Sequence, residues 1–389
     1  MGERSAIEWT DHTFNPWWGC TKVSDACKFC YAEAFAKRTG HAVWGDAAPR
    51  RFFADEHWEE PKKWDRDAAR DGVRRKVFCA SMADVFEERE DLIEPRARLI
   101  RLIEQTHHLD WLLLTKRPEH AARLSSQAGW SLGGWPDNAW CGSTLETTKE
   151  FGRVLSLAPV PSRFRFLSCE PLLGSLNDAP LWTRRDLPSA HNIEWIIAGG
   201  ESGPGARPMH PTWPKELLVR AQQDGVAYFF KQWGDWEPMM TARSWVDGIL
   251  EMERADWKEM LSGTCIVGYD GKVRFPERPY ESWLVREGER LADEEDTFSD
   301  PMLSVAMHRV GKKTAGRVLD GRTWDEFPDG PTGPHDWQPE IIPAVEGRPE
   351  RRRQRCAGCD LSISLRAMTA GRCQPRLTTK RPRQLEILS

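Results

Sequence analysis

Six short apolar runs recur between residues 76 and 232, and they limit the fold of this chain more than any other feature. The runs read KVFCASM (76–82), DWLLLTK (110–116), NAWCGST (138–144), RFRFLSC (163–169), IEWIIAGG (193–200) and VAYFFKQ (226–232). Near-continuous apolar character without regular alternation is typical of strands that are buried on both faces. The sequence therefore predicts a parallel sheet.

The segments between these runs have helical features. Residues 91–108 place Leu92, Leu99 and Ile103 near helical period, and residues 211–225 begin with prolines and end in glycine. Repeated strand–helix alternation gives right-handed βαβ units, which close into a full or partial barrel. We predict an α/β fold, a partial (β/α) barrel of about six or seven parallel strands, short of the eight of a complete barrel. An open doubly wound sheet is the alternative.

The pattern divides the chain into three parts. Residues 1–234 are expected to form the barrel, with a cysteine-bearing loop near the N-terminus. Residues 235–328 are rich in Trp, Asp, Glu and Gly and are expected to form a C-terminal extension that packs on the barrel. Residues 329–389 are basic and low in aromatic residues, and we expect a disordered tail there.

Composition restricts the environment of the protein. A formal net charge of -4 gives no overall basic field, so any nucleic-acid partner has to meet a local patch. No run approaches the roughly 20 apolar residues of a membrane span, and the N-terminus lacks the layout of a signal peptide. We therefore expect a cytoplasmic protein without a membrane partner, whose cysteines are buried thiols or metal ligands. The role of Cys356, Cys359 and Cys373 in the tail is left open.

Three cysteines stand close together in NPWWGCTKVSDACKFCYAEAFAKR (15–38), with the spacing C-x6-C-x2-C. An iron–sulfur cubane held by Cys20, Cys27 and Cys30 leaves one iron free to bind another molecule. A disulfide would use only two of these thiols, and a tetrahedral zinc site would need a fourth ligand in addition to the three. The alternatives are a zinc site completed by His12 or His41, and thiols that bind no metal.

The second half of this motif resembles the cluster motif of radical SAM enzymes. In that class, C-x3-C-x-aromatic-C holds a [4Fe-4S] cluster, and the free iron binds S-adenosylmethionine. Phe29 occupies the aromatic position beside the adenine, although the first gap is three residues longer here. The loop also precedes the helical segment YAEAFAKR, where a radical SAM barrel carries its cluster. The resemblance implies both cofactors and an external electron donor.

A wider resemblance covers residues 5–328. The chain resembles the three-Cys-motif phage protein family, a radical SAM-related domain of unknown function. The resemblance implies a partial barrel with a cluster and, in many bacteria, a neighbouring gene for a three-Cys-motif partner protein. It rests on the cysteine segment and on SMADVF (81–86), LLLTKRPE (112–119), FLSCEPLLG (166–174), AGGESGPGARPM (198–209), FFKQWG (229–234) and LDGRTWDEFP (319–328).

Polar residues follow the predicted strands, where a barrel of this kind carries its chemistry. Candidate catalytic residues are Lys116, Arg117, Glu170 and Lys231, and the alternative is the ordinary polarity of loops. The mouth is predicted to accept a phosphate-bearing substrate, a nucleic acid or a nucleotide, because Lys116, Arg117, Arg207 and Lys231 place positive charge there.

The segment GGESGPG (199–205) is a second candidate cofactor contact. Gly199, Gly200 and Glu201 resemble the Gly-Gly-Glu segment that approaches the methionine amino group in radical SAM proteins. That segment usually follows the second strand, so Ser81 and Asp84 are competing candidates for this contact. A phosphate-binding turn or a plain tight turn is the alternative.

The leading interpretation is a radical SAM-type enzyme that modifies or repairs an unidentified substrate. The alternative is a non-catalytic phage or bacterial protein with structural zinc on the three cysteines, acting as a nucleic-acid or protein binding module.

Overall fold

Seven strands form one parallel sheet in chain order, and the curled sheet is a partial (β/α) barrel. The computed structural model describes residues 5, 7–131, 134–177, 193–241, 263–274, 305–328, 337–342, 351–356 and 362–364. The predicted fold class is confirmed. The strands are β1 (His12–Thr13), β2 (Arg75–Cys79), β3 (Leu109–Thr115), β4 (Ala139–Thr144), β5 (Arg165–Cys169), β6 (Trp195–Gly199) and β7 (Ala227–Gln232).

Helices connect these strands and pack on the outer face of the sheet. Helix α4 begins at a proline, whose missing N–H is not needed at a first helical position. Gly72 and Gly225 end the helices Asp55–Asp71 and Thr212–Asp224 in left-handed conformations. The helices are α1 (Tyr31–Arg38), α2 (Asp55–Asp71), α3 (Ile93–Gln105), α4 (Pro118–Gln127), α5 (Gly152–Leu157) and α6 (Thr212–Asp224).

The inner face of the sheet is filled by aromatic side chains. In β6, Trp195 and Ile197 belong to this inner cluster, while Ile196 and Ala198 pack on the helical side. Burial on both faces explains why the strands read as continuous apolar runs. The aromatic members of the inner cluster are Trp9, Phe78, Trp140, Phe164, Phe166, Trp195 and Phe229. They form a solid floor at the base of the barrel.

The C-terminal extension contains a four-stranded antiparallel sheet in the order Val273–Arg274, Thr264–Val267, Val305–Arg309 and Trp236–Thr241. Its later residues also cover the edge of the barrel, because Phe229 in β7 forms an antiparallel bridge with Asp325. Phe327 reaches the floor, where its ring lies 5.1 Å from that of Trp195. Covering the edge strand removes unpaired backbone groups from solvent. The elements are β8 (Trp236–Thr241), β9 (Thr264–Val267), β10 (Val273–Arg274), β11 (Val305–Arg309) and α7 (Lys312–Ala315).

The tail contributes three short strands, β12 (Trp337–Ile342), β13 (Arg351–Cys356) and β14 (Ser362–Ser364), paired antiparallel. The other residues of the tail, including Cys359 and Cys373, lie outside the described residues. The domain boundaries and the disordered tail therefore stay predictions. In the described part of the chain, no helix has the length and apolar character that a membrane span requires. The compartment stays a prediction.

Replacing Gly142 with alanine is expected to destabilise the protein. A Cβ at Gly142 would lie 2.3 Å from ring atoms of Phe166, inside the packed aromatic layer. Overpacking of this kind costs about 1–3 kcal/mol in free energy of unfolding, measured by urea denaturation. Gly152→Ala is the control, because its added methyl group meets nothing within 4 Å. Equal stability of the two variants would contradict the tight inner layer.

Candidate functional site

A cavity of about 640 Å³ lies at the mouth of the barrel, where the carboxyl ends of the strands meet. Cys20, Cys27 and Cys30 all line it. Trp9 and Phe78 from the aromatic floor border its inner end. The cavity is thus bordered by aromatic rings and carries three thiols on its wall.

The cysteines lie on the cysteine loop (residues 20–30), which connects β1 to α1 through a glycine. Gly19 has a φ of +117°, and a Cβ there would lie 2.4 Å from the carbonyl oxygen of Val43. Only glycine fits this position without strain. The Gly19 N–H donates to the carbonyl oxygen of Met82 at 2.9 Å. The start of the loop is thereby fixed to the chain that follows β2.

Burial is the main influence on the pKa values of Cys20 and Cys30. Desolvation, with a contribution from Asp84, raises the pKa of Cys20 to about 12, and Arg117 opposes this shift. Desolvation also raises the pKa of Cys30, but backbone N–H groups of Glu33 and Ala32 at the start of α1 favour its thiolate. Such thiols lose their protons when they bind a metal.

Arg117 joins the loop to the ends of β2 and β3. Its Nη1 lies 2.9 Å from Oδ2 of Asp84 and 3.8 Å from Sγ of Cys20, and its Nη2 donates to the carbonyl oxygen of Thr21 at 2.8 Å. Asp84 also accepts hydrogen bonds from the Thr115 hydroxyl at 2.6 Å and the Lys116 N–H at 3.0 Å. Both charged groups are buried, so this pair is part of the fold.

A second buried pair supports the same loop. Arg50 and Glu87 form a two-pronged ion pair with N···O distances of 2.7 and 3.0 Å. Nη2 of Arg50 also donates to the Thr21 hydroxyl at 3.1 Å. We missed this pair in the sequence because its residues lie 37 positions apart in loops without a motif.

Glu146, after β4, contacts the far side of the loop. Its Oε1 accepts a hydrogen bond from the Ser24 hydroxyl at 3.1 Å and lies 3.0 Å from Nζ of Lys116. Arg153 contacts Oε2 at 2.7 Å. Burial works against ionisation, but the two cations lower the pKa of Glu146. The carboxylate is therefore charged and holds the loop against the barrel.

An internal ion pair holds the segment after β6. Arg207 forms a two-pronged pair with Glu201 at 2.7 and 2.8 Å, and its Nη1 reaches the carbonyl oxygen of Asp25 in the cysteine loop at 3.3 Å. A Cβ on Gly205 would lie 2.8 Å from Cε1 of Phe29, so the glycine allows the aromatic ring to pack there. Phe29 and the glycine segment are thus brought together.

Most of the predicted site residues line the cavity, and four of them do not. Ser81, Asp84, Lys116, Arg117, Glu170 and Lys231 line the cavity together with the three cysteines. Phe29, Gly199, Gly200 and Glu201 lie outside that lining.

The four predicted cations of the mouth each have a carboxylate partner. Lys231 lies 3.0 Å from Glu170, and the pairs Lys116–Glu146, Arg117–Asp84 and Arg207–Glu201 are those described above. Their positive charge is therefore balanced locally.

The two histidines considered as a fourth zinc ligand are held by tryptophan rings. His12 stacks on Trp64 with ring centroids 4.4 Å apart, and His41 packs edge-on against Trp18 at 5.4 Å. Neither histidine lines the cavity. Among the residues that the structure describes, no three His, Cys, Asp or Glu side chains are grouped as ligands of one metal ion. The thiolates of a cubane cluster bind separate irons.

The fold and site define an α/β protein with a cysteine loop at the mouth of a partial barrel. Residues 4–328 match the family described as "Protein of unknown function (DUF5131)", and the chain belongs to this family. No curated protein matches the chain. The phage origin and the partner protein stay predictions.

Solved structures of spore photoproduct lyase align weakly with the chain. A mutant with bound AdoMet and dinucleoside spore photoproduct is 13% identical over 42% of this chain and 46% of that chain, with a TM-score of 0.31. A second mutant is 12% identical over 61% and 67%, with a TM-score of 0.34. The chain thus spans less than half of the first of these proteins. These values assign it no substrate.

Breaking the Arg50–Glu87 pair is expected to cost about 3–5 kcal/mol in free energy of unfolding, because Arg50→Met removes the two-pronged partner of the buried Glu87 side chain. The exposed Arg101–Glu94 pair provides a control, and Arg101→Met should cost less than about 1 kcal/mol. Chemical denaturation measures both. A loss at Arg50 as small as that at Arg101 would contradict the support assigned to this pair.

Proposed function

We propose that the protein is a radical SAM-type enzyme that uses a [4Fe-4S] cluster and S-adenosylmethionine to modify or repair an unidentified substrate. The observation that carries this proposal is the position of the cysteines. Cys20, Cys27 and Cys30 converge on one cavity at the mouth of a partial barrel, where barrel enzymes bind their substrates.

The donor set and the cavity fit these cofactors. Three thiols suit a cubane that keeps one iron for another ligand. A cavity of about 640 Å³ has the size of ordinary small-molecule sites. When bound, the two cofactors supply a one-electron reductant and hydrogen abstraction. The protein itself supplies the position of the thiols and a site protected from water.

The ion pairs that contact the cysteine loop divide the predicted cofactor contacts into two groups. Asp84 and Glu201 are committed to Arg117 and Arg207, so we assign them to holding the cysteine loop. Ser81 lines the cavity, where its hydroxyl contacts the Asn15 carboxamide at 3.1 Å, and we assign it to the methionine end of S-adenosylmethionine. Phe29 sits beside the last cysteine but outside the cavity lining, so its contact with the adenine stays a prediction. An external electron donor completes the system.

The three cysteines are expected to be required for cluster binding. Protein purified without oxygen should contain iron and acid-labile sulfide and should be brown. Cys20→Ala, Cys27→Ala and Cys30→Ala should each lose most of both, because each removes one of three ligands. Cys141→Ala is the control, since Cys141 is a buried thiol of β4. Colourless protein with stoichiometric zinc would contradict the proposal and support a structural zinc protein.

Arg117 is expected to raise the reduction potential of the cluster. A cation 3.8 Å from Sγ of Cys20 favours the reduced, more negative cluster. Arg117→Met should therefore shift the potential to more negative values, and Arg117→Lys should shift it less because the charge is retained. Redox titration followed by electron paramagnetic resonance measures the potential, and near-UV circular dichroism checks the fold. An unchanged potential in Arg117→Met would contradict this role.

A nucleic-acid or nucleotide substrate remains part of the proposal. The paired cations of the mouth leave no excess positive charge among those four side chains, so recognition of phosphate has to come from other contacts. Filter binding to DNA and RNA at low salt tests whether the protein binds nucleic acid. Flat binding curves for both would contradict a nucleic-acid substrate.

A further inference from the structure

Strand β7 ends in a β-bulge that faces the cavity. Ala198 of β6 pairs with Phe230, but the next residue, Gly199, pairs with Gln232, so Lys231 is an extra residue. In a regular strand, Lys231 and Gln232 would point to opposite faces. Bulges change the direction of side chains and are frequent near active sites. Here both Lys231 and Gln232 line the cavity.

Gly199 allows Glu170 to join these two residues. A Cβ on Gly199 would lie 2.7 Å from Oε1 of Glu170 and 3.5 Å from Cγ of Gln232. Since glycine has no Cβ, both side chains converge beside the end of β6. Nζ of Lys231 lies 3.0 Å from Oε1 of Glu170. An ammonium, a carboxylate and a carboxamide therefore meet at one place on the cavity wall.

The carboxamide of Gln232 has one unused acceptor. Its Nε2 donates to the carbonyl oxygen of Gly200 at 3.1 Å, which fixes the orientation of the amide. Its Oε1 is buried and has no hydrogen-bond partner among the described residues. Gln232 is only 6% exposed. Buried acceptors are normally paired, so this oxygen calls for a donor from a bound molecule.

We propose that Lys231 and Gln232 bind the –CO–NH– edge of a nucleobase such as uracil. Lys231 donates to the carbonyl oxygen, and Oε1 of Gln232 accepts the ring N–H. Glu170 is a positioning residue that holds the Lys231 ammonium. A flat ring suits a cavity that the aromatic rings of Trp9 and Phe78 border, because it can pack against them. The assignment deepens the proposed function by naming its substrate class.

Paired binding measurements test this subsite with uridine and N3-methyluridine. Cluster-containing protein without S-adenosylmethionine should bind uridine about tenfold more tightly, because the methyl group removes the N–H. Gln232→Leu should bind uridine and N3-methyluridine with about equal affinity, because the acceptor atom Oε1 is absent. Lys231→Met should weaken the binding of both nucleosides. Lys272→Met changes an exposed lysine and should alter neither affinity. Thermal denaturation checks each fold.

Equal affinity of the unmodified protein for the two nucleosides would overturn the subsite, as would a preference that survives in Gln232→Leu. Tighter binding of N-acetylglycine methylamide than of uridine would overturn the nucleobase assignment in favour of a peptide. Because no turnover is required, the result is separable from the proposed function. Iron-free protein that still prefers uridine would support the subsite independently of the cluster.

Discussion

Buried ion pairs fix the cysteine loop, and the rest of the candidate site depends on them. Arg117 with Asp84 and Arg50 with Glu87 both contact Thr21, and Glu146 contacts Ser24 on the other side. Isolated buried charges are costly, so each pair is stable only while both partners stay in place. The loop is therefore held by the ends of several strands at once, and its thiols keep a fixed relation to the cavity.

The aromatic floor has the complementary role. Trp9, Phe78, Phe166 and Trp195 pack inside the sheet, and Phe327 from the C-terminal extension joins them. They fill the base of the barrel, and the cavity lies near the strand ends. Lys76 lies 4.6 Å from the Phe327 ring, so the extension also reaches β2 across the base. The candidate site therefore lies between the aromatic floor and the polar side chains at the strand ends.

The strands and helices were predictable because apolar runs and their spacing are local properties of the sequence. The run at 226–232 corresponds to β7 at Ala227–Gln232, and the helical segment YAEAFAKR is α1. The cysteine loop was also recognisable from its spacing. The partners of Lys116 and Arg117 were not, because Glu146 and Asp84 come from other strand ends. The bulge at Lys231 was hidden as well, since VAYFFKQ carries no signal for the register of the neighbouring strand.

The central chemical claim is that the three thiols ligate a [4Fe-4S] cluster whose free iron binds S-adenosylmethionine. The most direct test incubates oxygen-free protein with S-adenosylmethionine and dithionite and measures 5′-deoxyadenosine by mass spectrometry. The account predicts that 5′-deoxyadenosine forms and that Cys27→Ala abolishes its formation. Iron-loaded protein that leaves S-adenosylmethionine intact would contradict it.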